Sequence, residues 1–268
     1  MKRLPLSKLI AIFLLLVIAV MVILSFMPWV DPFTMGTPYQ RPSSEHPLGT
    51  NDIGQDILAE ILYGSRVSLL IGTISAVIIT FIGTAIGVCA GYFGGWVDTV
   101  LSWFIHVAMT IPSLPMTIVL IAYFGGSIKN VIVIICLTSW AGTARIIRAK
   151  ARQISQLPYI KLEENMGIST PRLLLVHIVP NISDILFIRG VMAIPSAILT
   201  ETGLSFLGFG DSAMRSWGTT LRYAFYRNGV LNNYWWWIAP PILCICMCSL
   251  GFLLLGYNNK RVSESEIG

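Results

Sequence analysis

The chain has 268 residues, of which 55% are hydrophobic and 12% charged, with a formal net charge of +5 and a mean hydropathy of +0.74. Soluble globular chains carry roughly twice that share of charge, so composition alone excludes that class and marks a membrane protein. The five cysteines, Cys89, Cys136, Cys244, Cys246 and Cys248, all lie in apolar runs; they read as small buried hydrophobes, not as a disulfide frame. Two-residue spacing in "CICMC" turns the thiols to different helix faces, which disfavours a metal site.

Apolar stretches of about 18 residues or more predict the membrane spans. Leu9 to Phe26 is the first, an uncleaved span rather than a signal peptide, since no small-residue cleavage site follows it. Pro28, Pro32, Pro38, Pro42 and Pro47 then mark an extended, helix-poor segment. Asn51 or Asp52 is expected to cap a short amphipathic helix through about Tyr63. Val67 to Tyr92 is the second span, Trp96 to Phe124 contains the third, and Ile128 to about Ile147 is the fourth. A polar segment follows, and then Ile182 to Leu204 and Tyr234 to Gly256 make the fifth and sixth.

An even number of spans puts both termini on one side, and positive charge indicates which. With the N terminus inside, inner segments hold Lys2, Arg3, Lys8, Arg145, Arg148, Lys150, Arg152, Lys161, Arg172, Lys260 and Arg261, eleven of the 18 Lys and Arg. Both termini and the polar segment are therefore expected in the cytoplasm. Gly83, Gly87 and Gly91 recur every four residues, a small-residue ridge that lets a second helix approach closely; packing within the subunit is preferred over a subunit interface.

Catalytic chemistry finds little to stand on. His46, His106 and His177 fall in three separate segments, no paired nucleophile and base emerges, and no G-x-x-x-x-G-K-[ST] loop occurs. The expectation is a chain that is not an enzyme, needs no cofactor or metal, and leaves any ATP to a partner. Asp98 lies at a turn, Arg189 is about two turns into the fifth span where snorkelling is its plainest role, and Glu201 is near that span's outer end. A secondary transporter would want ionisable groups near mid-membrane, and only Glu201 offers itself.

The polar segment "YIKLEENMGISTPRLLLVHIVPN", Tyr159 to Asn181, predicts two short helices around Gly167, which tolerates a left-handed bend. Thr170 would cap the second helix, with Pro171 at its first position. Leu173, Leu174 and Val176 would face the membrane or the ends of other spans, leaving Glu163, Glu164 and Arg172 outward. Such a pair suits docking; an interfacial amphipathic helix fits equally well.

The glycine of this segment and, thirteen residues on, its proline resemble the EAA loop of bacterial ABC importer permeases. Three further stretches resemble the peptide and nickel branch of that family: "HPLGTNDIGQDILAEILYGSRVSL" from His46, "GYFGGWVDTVLSWFIHVAMTIPSLP" from Gly91, and "ETGLSFLGFG" with "SWG" from Glu201 to Gly218. With "WWWIAPPI" the likeness spans nearly the whole chain. It departs where the family reads Glu-Ala-Ala and this chain has Lys161, Leu162 and Glu163, at His106 where an acid is common, and in "GYNNKR", which lacks the usual acidic ending.

The resemblance implies an all-α membrane protein of type I importer permease fold, with six transmembrane helices and a cytoplasmic coupling loop. Residues 1–66 would hold the N-terminal tip, first span and extracytoplasmic segment, 67–258 the permease core with coupling loop 155–181, and 259–268 a cytoplasmic tail. It further implies a second, homologous permease, two cytoplasmic ATPases, an extracytoplasmic binding protein and a bacterial or archaeal cell membrane. The solute would be a short peptide or, alternatively, nickel or a metal chelate. Coupling would fall to Lys161, Glu163, Glu164, Gly167, Arg172, His177 and Pro180, and the path or gate to Glu201, Ser205, Phe206 and Trp217.

Overall fold

The computed structural model describes residues 6–211 and 213–267, the latter without the side chains of 260–267. Lys2 and Arg3, and the side chains of Lys260 and Arg261, which contribute to the charge bias, lie outside the described residues. The described residues are helical apart from loops and one isolated bridge between Thr50 and Asp56.

Helix α1 spans Leu6–Leu24. Helix α2, Ile57–Phe93, is the longest. At 1.5 Å per residue its 37 residues measure about 55 Å, well beyond a hydrocarbon core of ~30 Å. The expected short amphipathic helix and second span are thus one unbroken helix. Its N-cap is Asp56, which accepts a hydrogen bond from the Ala59 N–H, not Asn51 or Asp52. Asn51 instead folds the preceding loop by accepting from the Ile53 and Gln55 N–H groups, while Asp52 pairs with Arg227.

The third span is broken. Helix α3, Gly95–Thr110, and α4, Ser113–Phe124, meet at 83°. Pro112 denies Ile111 the helical region, and Ile111 is extended, with φ −82° and ψ 122°. Helix α5 is Ile128–Ser155, α9 Ser183–Leu207 and α11 Trp235–Ile267. Among the described residues five helices are long and apolar enough to cross a membrane, and α3 with α4 provides a sixth if the bent pair is one span. Between α9 and α11 stands α10, Trp217–Tyr226, which hydropathy does not reveal; Ser216 and Thr219 form a reciprocal capping box at its start.

The central core joins α2, α5 and α9 through Ile71, Ile79, Ile135, Ala197 and Leu204. A second core gathers α1, α10 and α11 against the N-terminal part of α2, around Ile18, Trp217, Trp237 and Cys248. Cys136, Cys244 and Cys248 are buried as expected, but Cys89 is only partly buried and Cys246 is exposed, because two-residue spacing turns it away from the core that Cys244 and Cys248 enter. Along α2, a Cβ on Gly83 would stand 2.8 Å from Thr143 Cγ2, on Gly87 2.7 Å from the Ala144 carbonyl oxygen, and on Gly91 2.6 Å from that of Arg148. The glycine ridge therefore brings α2 and α5 together backbone to backbone within the subunit.

Candidate functional site

The polar segment folds beside the C-terminal halves of α2 and α5. Helix α6, Pro158–Asn165, is followed by a turn in which Gly167 takes φ +82° and touches nothing within 4 Å of where a Cβ would lie. The chain then makes a single α turn α7, Thr170–Arg172, a π-helical stretch π1, Leu173–Ile178, and another α turn α8, Val179–Asn181. Ser169 rather than Thr170 holds the N-cap position, and its side chain makes no capping bond. The widened winding precedes a proline that has no N–H to donate, and the Val179 N–H reaches back to the Leu174 carbonyl. Pro180 does not launch the fifth span directly, because Ile182 breaks the helix before α9 begins.

One side of this segment is anchored. Ile160, Ile178 and Ile182 join Val88, Ile147, Ala151 and Ile154 in a buried cluster, and Leu173 is also buried. The opposite side presents Leu162, Met166, Leu175 and Val176, with Met166 80% and Leu175 69% exposed. Val176 thus points away from the spans, contrary to expectation, because the π winding rotates it off the face of Leu173. Lys161, Glu164, Gly167, Arg172 and Pro180 are exposed around the apolar knob. Glu163 is not free: it pairs with His177 at 3.1 Å, stapling α6 to π1. Asn181 adds a second staple, donating to the Tyr159 hydroxyl at 3.1 Å and the His177 carbonyl at 2.6 Å.

Just above the anchored side, Asp98 at the start of α3 receives the Arg148 guanidinium, Arg152 Nη1 at 3.3 Å and the Ser102 hydroxyl at 3.0 Å. This charged layer ties α3 to the end of α5. Periodicity could not pair residues 50 apart; the only signal was an acid following two glycines at the foot of a span.

Glu201 is 2% exposed and lies wholly inside the subunit. Its carboxylate accepts from Ser205 at 2.7 Å and from Ser68 of α2 at 3.5 Å. The Trp217 backbone N–H donates to the same Ser68 hydroxyl at 3.3 Å, and the Trp217 indole N–H to the Ile61 carbonyl at 3.1 Å. Glu201, Ser205 and Trp217 are therefore brought together, but as an internal tie between α2, α9 and α10. Phe206, only half-buried, packs edge-on against Phe225 of α10 instead.

A second buried polar group went unread in the sequence. Glu60, 1% exposed, accepts from Asn51 Nδ2 at 3.0 Å and faces Arg215 Nε at 3.6 Å, while Arg215 also donates to Gln55 Oε1 at 3.0 Å. It locks the loop before α2 to the loop before α10.

Arg189 leaves α9 toward α5, where its Nη2 donates to Thr143 Oγ1 at 3.4 Å. Its Nε is buried without a hydrogen-bond partner among the described residues.

Residues 83–264 match the family described as binding-protein-dependent transport system inner membrane component. The chain is 32% identical to the dipeptide transport system permease protein DppC of Bacillus subtilis over 80% of this chain and 67% of that one. It is 30% identical to the oligopeptide transport system permease protein OppC of the same organism, over 100% of this chain and 88% of that one. With the OppC protein of Mycobacterium tuberculosis, strain H37Rv, identity is 36% over 67% of this chain and 62% of that one.

Proposed function

The chain belongs to the family of binding-protein-dependent transport system inner membrane components, and from that premise we propose that it forms half of the translocation path of an ATP-driven importer of short peptides. Its relatives are named for dipeptides and oligopeptides, which favours peptide over nickel or a metal chelate. It is a transport subunit, and the ATP is hydrolysed by two partner ATPases. A second, homologous permease completes the path, and an extracytoplasmic binding protein delivers the solute. Both termini and the 158–181 segment face the cytoplasm. Residues 67–258 act as the permease core, with 1–66 and 259–268 as flanking parts.

One observation carries the coupling role: the 158–181 segment is buried on one side and exposes an apolar knob ringed by charge on the other. An anchored helix pair of this kind transmits a push without folding up under it. Leu162, Met166, Leu175 and Val176 would seat in an ATPase groove, with Lys161, Glu164 and Arg172 at the rim. Glu163 and His177 hold the pair rigid, Gly167 makes its turn, and Pro180 ends it. ATP-driven closure of the ATPases moves the two coupling segments, and the permeases rock from inward-open to outward-open. Glu201, Ser205 and Trp217 serve this motion as the internal joint of α2, α9 and α10, with Phe206 beside them.

Uptake tests the reading directly. Proteoliposomes holding the whole transporter and its binding protein should accumulate radiolabelled dipeptide or oligopeptide when ATP is supplied to the ATPases. Accumulation of nickel but not peptide would overturn the substrate assignment.

A further inference from the structure

Arg189 does not snorkel to the inner charged layer. Its partner Thr143 lies opposite Gly83, whereas that layer, at Arg148 and Arg152, lies opposite Gly91. Eight residues of α2 separate the two levels, about 12 Å along the helix. Among the described residues no carboxylate comes within ion-pairing distance of this guanidinium, and its one side-chain hydrogen bond is the long contact to Thr143. An unpaired cation at this depth is too costly to face acyl chains, so it must face a partner or a water-filled path.

Room is left beside its Nη2. A Cβ on Gly142 would meet only Arg189 Nη2, at 3.9 Å, and one on Gly190 only Thr80, at 3.6 Å. A groove of about 480 Å³ runs along the neighbouring face of α9, lined by Thr80, Phe187, Gly190 and Val191 among others, and Arg189 itself is turned from it toward Gly142 and Thr143 of α5. The Thr80 hydroxyl is itself without a hydrogen-bond partner. A planar fork with unused donors, with room left beside its Nη2 at Gly142, is the chemistry that recognises a carboxylate.

We propose that Arg189 contacts the C-terminal carboxylate of the peptide as it passes the inner half of the path. This rests on the peptide reading above. One unassisted guanidinium offers an attraction strong enough to admit the anion and weak enough to release it, as a transport site requires.

The experiment compares a free-acid peptide with its C-terminal amide, choosing an amide that the binding protein is first shown by titration to accept. Uptake is measured in proteoliposomes holding the complete transporter, for wild type, Arg189→Gln and Arg189→Lys. The expected result is a loss of about tenfold in free-acid uptake for Arg189→Gln, the scale of one charge-assisted contact, with amide uptake changed less than twofold and Arg189→Lys retaining most free-acid uptake. Unchanged free-acid uptake in Arg189→Gln overturns the proposal. So does an equal fall for acid and amide, which would assign the cation to the neighbouring permease or to folding. Wild-type transporter that moves neither form would instead sink the peptide reading.

Discussion

Asp98 accepts two hydrogen bonds from the Arg148 guanidinium, one of them 2.8 Å from Nη2 to Oδ2, and so clamps the foot of α3 to α5. Both partners are largely buried, and removing either alone leaves the other charge stranded. A double-mutant cycle with Asp98→Asn and Arg148→Gln should therefore be non-additive, with a coupling of about 0.5–3 kcal/mol in thermal or denaturant unfolding of the purified protein. Additive losses would show that the pair contributes nothing beyond its separate packing.

The glycine ridge predicts a steric threshold. Gly91→Ala must place a Cβ only 2.6 Å from a carbonyl oxygen, which should cost about 1–3 kcal/mol and lower the melting temperature in detergent. Gly203→Ala is the matched control, since a Cβ there meets nothing within 4 Å. Equal melting temperatures for the two variants would contradict the close α2–α5 approach.

Glu201 predicts a graded response. Glu201→Gln keeps an acceptor for the Ser205 and Ser68 hydroxyls, whereas Glu201→Ala leaves both buried without it. The alanine variant should lose about 1–3 kcal/mol of stability and the glutamine variant less. An inverted order, or an uptake defect in Glu201→Gln at full stability, would point to a direct role in the path.

In the 158–181 segment, Gly167 holds φ +82° in open space, a conformation closed to proline but available to asparagine. Gly167→Pro should reduce co-purification of the ATPase by about tenfold, equivalent to roughly 1.4 kcal/mol, while Gly167→Asn stays close to wild type. Both variants should still insert into the membrane. Undiminished ATPase recovery with Gly167→Pro would remove the coupling assignment.

Much of this architecture was legible in the sequence because a membrane span is announced by the local sum of its side chains. The first, fourth, fifth and sixth spans fall within a few residues of α1, α5, α9 and α11 except where α5 and α11 run on past their apolar cores. The rest was hidden for identifiable reasons. Hydropathy drops across Tyr63 to Arg66, so one long helix read as two. Pro112 lay inside an apolar run and its bend left no mark on the average. The π stretch turned Val176 outward against an α-helical expectation.

The sequence by itself determined that this is an all-α membrane chain, that its cysteines lie within apolar runs, that Gly83, Gly87 and Gly91 make a packing ridge, and that one polar segment with a central glycine stands apart from the spans. Each of these depends on composition or on spacing within a single element. Only the tertiary structure decided that Glu201 is sealed against Ser68, 133 residues away, that Glu60 meets Arg215, that Glu163 is taken by His177, and that Arg189 is left, among the described residues, with Thr143 alone. Which charges are paired and which remain available depends on how helices distant in the chain are brought side by side, and no local periodicity encodes that distance.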